Sequence, residues 1–219
     1  MIQYGKITDF KDRIFRSFHK EAAELHDQVS YAFPWSRQWE YPWLLKNVSF
    51  NENDVIMDAG GGYCYFSCLL AKRAKRVVVV DKTMANIRDC SGCNIEKECQ
   101  DLNTIELKEK FDKIFCLSVL EHIEEYEQVI LKLHHHLKEN GYLCITFDVH
   151  FDNLAPLKFK EVSRFIQFLS INFELGHQDL SIDNIWRRDH IRHIPTIDIQ
   201  HLQNGLGDLV PLGIIAKKK

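Results

Sequence analysis

The residues best placed to do chemistry stand together in the segment Asp58-Ala-Gly60-Gly61-Gly62. An acidic residue ends an apolar run there, and the glycines that follow tolerate positive φ and let a ligand approach the main chain. Free N–H groups at the start of a following helix would face such a ligand. The segment therefore predicts a ligand-binding turn, with a tight strand-to-helix turn as the structural alternative.

The spacing of these residues discriminates between ligands. Gly60 and Gly62 match the first pair of a dinucleotide fingerprint, but Tyr65 stands in the third glycine position. The Gly-Lys-Ser/Thr of a Walker loop is absent from this segment. Asp81 lies 19 residues after Gly62, where a carboxylate accepts the two hydroxyls of a ribose. The pattern predicts a ribose-containing ligand and argues against a dinucleotide.

Alternating strands and helices must position this turn. Short apolar runs predict strands, and the intervening segments have helical spacing. The predicted strands are 55–58, 77–81, 95–99, 111–117 and 142–147, and the predicted helices are 66–72, 83–90 and 126–137. Such alternation indicates an α/β fold with a parallel sheet and helices on both faces.

The two flanks are less regular. Residues 1–50 predict a helical cap, in which the aromatic run 33–43 is either a lid over the ligand or a hydrophobic plug. Pro34 and Pro42 argue against a single long helix in that run. In the tail, 160–169 predicts a helix, and 173–182 and 209–216 predict an antiparallel hairpin that ends the sheet.

Composition excludes several classes of protein. Hydrophobic residues make up 45% and charged residues 27%, which excludes disordered, collagen-like and coiled-coil chains. A net charge of -3 provides no basic field for nucleic acid. The sequence contains no apolar run of about 18 residues, so no membrane span is predicted. The N-terminus lacks the pattern of a signal peptide. The seven cysteines, all between Cys64 and Cys144, predict reduced thiols in a cytoplasmic protein.

Residues 53–147 resemble the class I S-adenosylmethionine-dependent methyltransferases, and most closely the small-molecule branch called methyltransferase type 11. Residues 55–62 resemble the first motif of that family, with Cys64 where many members have a further glycine. Residues 111–123 resemble its fourth strand and the loop after it, and residues 137–146 resemble its passage into the fifth strand.

The resemblance implies a Rossmann-like, doubly wound, mostly parallel seven-stranded sheet with a terminal antiparallel hairpin. One domain would then cover residues 1–219, with a cap or lid (1–50), a cofactor-binding core (53–147) and an acceptor-side tail (148–219). The implied cofactor is S-adenosyl-L-methionine, and the implied activity is methyl transfer to the oxygen or nitrogen of a small molecule.

The same resemblance assigns the cofactor site. Asp81 is expected to hold the ribose, Asp101 to lie near the adenine amino group, and Leu102 to lie against the adenine face. An ordinary loop carboxylate is the alternative for Asp101. The full set expected to bind cofactor is Asp58, Gly60, Gly61, Gly62, Asp81, Lys82, Asp101, Leu102 and Ser118.

A protonated acceptor would need a general base, for which His122 is the first candidate because it follows the fourth strand of the core. Further candidates are Glu121, Asp148 and His150. The alternative is that Glu121 and His122 only orient the loop. Some family members bind a metal through Glu-x-x-Glu-His here, but Ser118 occupies the first position, so no metal is predicted.

Other clusters carry weaker predictions. Cys90-x-x-Cys93 lacks the second pair of a zinc finger, and adjacent histidines at 134–136 diverge around a helix. A basic cluster at 187–193 predicts either an anionic acceptor or a solvated loop. Two other functions stay open: a non-catalytic protein that binds S-adenosylmethionine, and a nucleotide-dependent oxidoreductase, which Tyr65 disfavours.

Overall fold

A central run of parallel strands forms where the sequence is richest in buried apolar residues. The computed structural model describes residues 1–28, 33–63, 65–83, 93–150, 159–180 and 209–219. The parallel strands are β2 (Val55–Ala59), β3 (Arg76–Val80), β4 (Ile95–Glu98), β5 (Phe111–Leu117) and β6 (Leu137–His150), in the spatial order β4-β3-β2-β5-β6. The five strands predicted for this part of the sheet are confirmed, and β6 is longer at both ends than the predicted 142–147.

The sheet continues into antiparallel strands at the β6 side. Strand β9 (Leu209–Lys218) runs antiparallel to β6 and β7 (Phe173–Leu175) antiparallel to β9, which confirms the predicted terminal hairpin. The predicted strand 173–182 is shorter than expected, because the chain leaves β9 after Leu175 and then forms β8 (Gln178–Asp179).

One strand of the sheet comes from the predicted helical cap. Strand β1 (Ile2–Tyr4) pairs antiparallel with β9 and parallel with β8, so the described sheet has nine strands, two short ones more than predicted. Ile2 and Tyr4 are fully buried. Three residues are too few to show the alternation by which a strand is recognised in a sequence.

Helices cover both faces of the sheet. They are α1 (Arg13–Gln28), α2 (Arg37–Asn47), α3 (Phe66–Ala71), α4 (Tyr126–His136) and α5 (Phe159–Asn172). Adjacent β5 residues point to opposite faces: Ile114 packs in one hydrophobic cluster with Val129 of α4, and Phe115 packs in the other with Phe66 of α3. The predicted two-sided arrangement is therefore confirmed.

Helix α2 contradicts the expectation drawn from Pro42, whereas Pro34 lies before the start of the helix, as expected. Pro42 lies inside it, and the helix continues to Asn47. Trp39, Tyr41 and Trp43 on either side of the proline are at most 1% exposed. Burial of three large aromatic side chains outweighs the cost of a proline inside the helix, which is about 3 kcal/mol for the missing hydrogen bond and the ring clash together.

The cysteine prediction is partly wrong. Cys93, Cys99, Cys116 and Cys144 are free thiols, but Cys68 is disulfide-bonded. None of the described helices has the length and apolarity that crossing a bilayer requires. The predicted helix at 83–90, Cys64, Cys90 and the basic cluster at 187–193 lie outside the described residues, apart from Thr83.

Candidate functional site

The carboxyl ends of four adjacent parallel strands meet at one edge of the sheet. The loops that follow β2, β3, β4 and β5 all leave from this edge, and they carry the predicted cofactor residues. Ligands of open α/β sheets bind at this edge. The topology therefore brings the nine predicted cofactor residues to one side of the molecule.

The glycine turn after β2 is closely packed. Gly60 has φ +76° and its N–H donates to the carbonyl of Val80 at 2.7 Å. A Cβ at Gly60 would lie 2.5 Å from a methyl carbon of Val119 in the loop after β5. A side chain at this position would thus strain the backbone and push two loops apart.

The next two glycines allow the turn to lie close to the carboxylates of Asp58 and Asp81. A Cβ at Gly61 would lie 2.7 Å from Oδ2 of Asp58, and a Cβ at Gly62 would lie 2.6 Å from Oδ2 of Asp81. The glycines let the main chain approach both carboxylates, and this closeness explains why three of them are found in succession.

The side chain of Asp81 links the glycine turn to the end of β3 by hydrogen bonds. Its Oδ2 accepts the N–H of Gly62 at 3.0 Å, and its Oδ1 accepts the N–H of Thr83 at 2.7 Å. The side chain is half-buried. Two carboxylate oxygens offer about four acceptor sites, so Asp81 keeps capacity for further hydroxyl donors.

Asp58 lies beneath the turn rather than on its surface. It is 1% exposed, and its Oδ2 accepts the hydroxyl of Ser67 in α3 at 2.7 Å. Burial raises the pKa of Asp58 to about 6, while the Ser67 bond and the charge of Arg37 oppose that rise. Asp58 thus anchors the turn to the first helix.

The raised pKa of Asp58 predicts a pH dependence of stability. The native state holds its proton more tightly than the unfolded chain, whose aspartates titrate near about 4. The stabilisation is therefore fully present below that pH and is lost as pH rises through about 6. Between pH 5 and 7, we expect the free energy of unfolding of the wild type to fall by about 1 kcal/mol relative to Asp58→Asn. Urea denaturation of both proteins measures it, and a pH-independent difference would contradict the assignment.

The loop after β4 contains Asp101 and Leu102. Oδ1 of Asp101 accepts the backbone N–H of Asn103 at 2.8 Å and its side-chain amide at 2.9 Å. These bonds, with a smaller effect of Lys82, lower the pKa of Asp101. Leu102 is 6% exposed and packs in the core, whereas Lys82 is exposed. Asp101 is thus a half-buried carboxylate that stays ionised beside Lys82.

Sequence reasoning missed a buried network between α2 and the loop after β5. The guanidinium of Arg37 donates to Glu40 and to the hydroxyl of Ser118, and it reaches the carbonyl of Leu117 at 3.3 Å. The Ser118 hydroxyl in turn donates to Oε1 of Glu40 at 2.8 Å. Glu40 is fully buried. The signal available in the sequence was the charged pair Arg37 and Glu40 inside an aromatic run.

Ser118 has an unusual backbone. Its φ is +47°, a left-handed value that is rare for a residue with a side chain, and its N–H donates to the carbonyl of Thr146 at 2.8 Å. The hydroxyl of Ser118 thus points to α2, and its N–H bonds to β6. Together these bonds hold the strained backbone of Ser118 in place.

Glu121 and His122 are neighbours with opposite environments. His122 is exposed at the carboxyl edge of β5, and Glu121 is only 8% exposed. Burial raises the pKa of Glu121 to about 7, and the nearby Glu40 adds to this effect while Arg37 opposes it. Of the other candidate bases, Asp148 lies half-buried in β6, and the side chain of His150 lies outside the described residues.

The aromatic run of α2 forms a plug. Trp39 and Trp43 stack with ring centres 5.0 Å apart, and the indole N–H of Trp39 donates to Asp9 at 2.6 Å. Both rings are buried against the sheet, where a Cβ at Gly213 would lie 2.4 Å from the Trp43 ring. Of the two interpretations of this run, the structure favours the hydrophobic plug over the lid for these side chains.

Tyr65 fills the position of the missing third glycine. It is 7% exposed and lies edge-on to His26 of α1, with ring centres 5.3 Å apart. A dinucleotide fold keeps this position small so that the helix can approach the strand. In this protein Tyr65 fills that space and packs against α1, which argues against a dinucleotide site.

Among the described residues, no group of three or more histidine, cysteine or acidic side chains is arranged to hold a metal ion. Cys93 and Cys99 are separate free thiols. The expectation that the protein uses no metal stays a prediction.

Comparison with known proteins places this site in context. A family model described as a methyltransferase domain matches residues 57–145. A ubiquinone biosynthesis O-methyltransferase of Rickettsia felis is 24% identical over 151 residues, which cover 59% of this chain and 62% of that protein. A malonyl-[acyl-carrier protein] O-methyltransferase of Calditerrivibrio nitroreducens is 33% identical over 101 residues, which cover 46% and 40% of the two chains.

A solved structure shares the fold over most of the chain. An N-methyltransferase of Bradyrhizobium japonicum, crystallised with S-adenosyl-L-homocysteine, superposes with a TM-score of 0.51 at 15% identity and covers 95% of this chain and 90% of its own. At that identity the likeness concerns the fold. The chain spans about three-fifths of the length of the ubiquinone-biosynthesis relatives that it matches.

Proposed function

We propose that this chain is a class I S-adenosylmethionine-dependent methyltransferase and that it transfers a methyl group from S-adenosyl-L-methionine to an oxygen or nitrogen of a small molecule. The observation that carries the proposal is the glycine turn closed on Asp81, in which the Gly62 N–H lies 3.0 Å from the carboxylate. The relatives named above methylate oxygen or nitrogen, as their names state.

The described residues fit the donor. Asp81 retains acceptor capacity for the ribose hydroxyls, and the absence of side chains at Gly61 and Gly62 lets the turn close against Asp58 and Asp81. Asp101 and Leu102 would hold the adenine from the neighbouring loop. The remaining proposed cofactor residues, Asp58, Gly60, Lys82 and Ser118, shape or border the same edge of the sheet.

The donor supplies an already activated methyl group on its sulfonium. The protein must therefore hold the acceptor in line with it, and orientation alone can provide a large part of the rate. A base is needed where the acceptor is protonated. We infer that His122 has this role, since its exposed position after β5 is open to an acceptor.

The acceptor itself is proposed to be a small molecule with an anionic group. The support is the basic residues at 187–193 of the sequence, in the tail to which the family resemblance assigns acceptor binding. Arginine pairs readily with carboxylate and phosphate groups.

A screen of acceptors tests the proposed activity. The full chain is incubated with S-adenosyl-L-methionine and panels of phenols, carboxylates and amines, and S-adenosyl-L-homocysteine is measured. We expect turnover with one class, and lower turnover for His122→Ala at unchanged donor affinity. Donor binding with no product from any class would favour the non-catalytic alternative, and full activity of His122→Ala would leave that residue structural.

A further inference from the structure

Glu121 has a buried carboxylate oxygen with no hydrogen-bond partner among the described residues. The residue is 8% exposed, and the oxygen without a partner is Oε2. Backbone N–H groups, those of Glu121 itself and of Asp148 in β6, oppose the rise in its pKa. A buried carboxylate oxygen left without a donor is costly, so its presence calls for a physical explanation, of which a functional role is one.

The position of Glu121 is next to the glycine turn. It lies in the 3₁₀ turn Leu120–His122, directly after Val119, whose methyl groups occupy the space that a side chain at Gly60 would need. The loop that carries Glu121 therefore packs on the loop proposed to bind the donor.

The buried charges at this edge do not balance. From α2, Arg37 and Glu40 both act on Glu121, and the same Arg37 acts on Asp58 beneath the glycine turn. Arg37 and Glu40 form an ion pair with each other. One guanidinium thus stands against three buried carboxyl groups, with Asp148 half-buried beyond them in β6 and His122 exposed on the same loop. When the three are ionised, these four groups together carry a net negative charge.

We propose that Glu121 makes the site prefer the cationic sulfonium donor over the neutral thioether product. The inference rests on the proposed function. The donor and the product differ by the methyl group and its positive charge, so contacts to adenine, ribose and the amino acid part cannot separate them. A carboxylate in a region of low dielectric attracts the sulfonium over several ångströms, and this attraction is absent for the product.

Because Glu121 can be protonated, the preference for the donor over the product should depend on pH. Burial raises the pKa of Glu121 to about 7, so acid removes its negative charge within an accessible range. A cation bound nearby favours the ionised form, and the donor should therefore expel a proton that the product leaves in place. The preference for the donor is expected to weaken as the pH falls through about 7.

Calorimetric titration of the full chain tests the proposal. Dissociation constants for S-adenosyl-L-methionine and S-adenosyl-L-homocysteine are measured at pH 7.5 and 6.0 in wild type and in Glu121→Gln. We expect the substitution to reduce the donor-to-product preference at pH 7.5 by about tenfold through weaker donor binding alone. The preference should fall between pH 7.5 and 6.0 more strongly in wild type than in the variant.

Glu124→Gln provides the matched control, because Glu124 is an exposed glutamate three residues away and should leave the preference unchanged. Equal weakening of both ligands in Glu121→Gln, or an unchanged ratio, would overturn the inference and leave the proposed function standing. Binding of neither ligand by wild type would overturn both. If Glu121→Gln does not fold, titrations of wild type in two buffers of different ionisation enthalpy decide: equal proton release by the two ligands overturns the proposal.

Discussion

Replacing Asp81 by alanine is expected to weaken binding of S-adenosyl-L-methionine about a hundredfold, because two charge-assisted hydrogen bonds to the ribose contribute about 1.5 kcal/mol each or more. The same change removes the acceptor for the N–H groups of Gly62 and Thr83, which hold the turn in place. Both effects act on the donor, so the dissociation constant from calorimetry is the quantity to measure.

Two further variants separate the effect of the Asp81 charge from that of its side-chain shape and from that of removing any exposed carboxylate. Asp81→Asn keeps the shape and loses the charge, so we expect a smaller loss of affinity. Glu52→Ala removes an exposed carboxylate from the loop before β2 and should leave affinity unchanged. Thermal unfolding shows whether each variant is folded. A folded Asp81→Ala protein with wild-type affinity would remove Asp81 from the site.

Replacing Arg37 by methionine is expected to lower the free energy of unfolding by about 3–5 kcal/mol, since it leaves the fully buried carboxylate of Glu40 without its charged partner. The hydroxyl of Ser118 and the carbonyl of Leu117 lose a donor as well. The loop after β5 would then lose both bonds from Arg37 and keep the Ser118 bond to Glu40 of α2.

Urea denaturation measures the Arg37 effect. Arg16→Met in α1 removes an exposed arginine and should change stability by no more than about 0.5 kcal/mol. The double variant Arg37→Met/Glu40→Gln removes both charges, and it is expected to recover part of the loss. A loss for Arg37→Met as small as that for Arg16→Met would show that Glu40 does not depend on this ion pair.

The sheet that carries the site was predictable from local sequence. The run 77–80 consists of four valines, which are typical of a strand covered on both faces, and β3 forms there. The three glycines and Asp81 were likewise predictable as parts of one ligand-binding edge, because an acidic residue about 20 residues after such a turn is expected at the end of the next strand.

The parts that were not predictable depend on contacts between distant segments. Arg37 and Ser118 are 81 residues apart, and neither residue type nor spacing shows that α2 docks on the loop after β5. Glu121 and His122 are adjacent in sequence, yet a single 3₁₀ turn buries one and exposes the other. The helix that contains Pro42 forms because its aromatic side chains pack into a core that the sequence alone does not display.

Titration of the wild-type chain with S-adenosyl-L-methionine, S-adenosyl-L-homocysteine and NAD in a calorimeter tests the central claim most directly. The glycine turn, the free acceptor capacity of Asp81 and the Tyr65 packing predict saturable binding of both methionine-derived ligands and no binding of NAD. Binding of NAD, with neither methionine-derived ligand bound, would contradict the account.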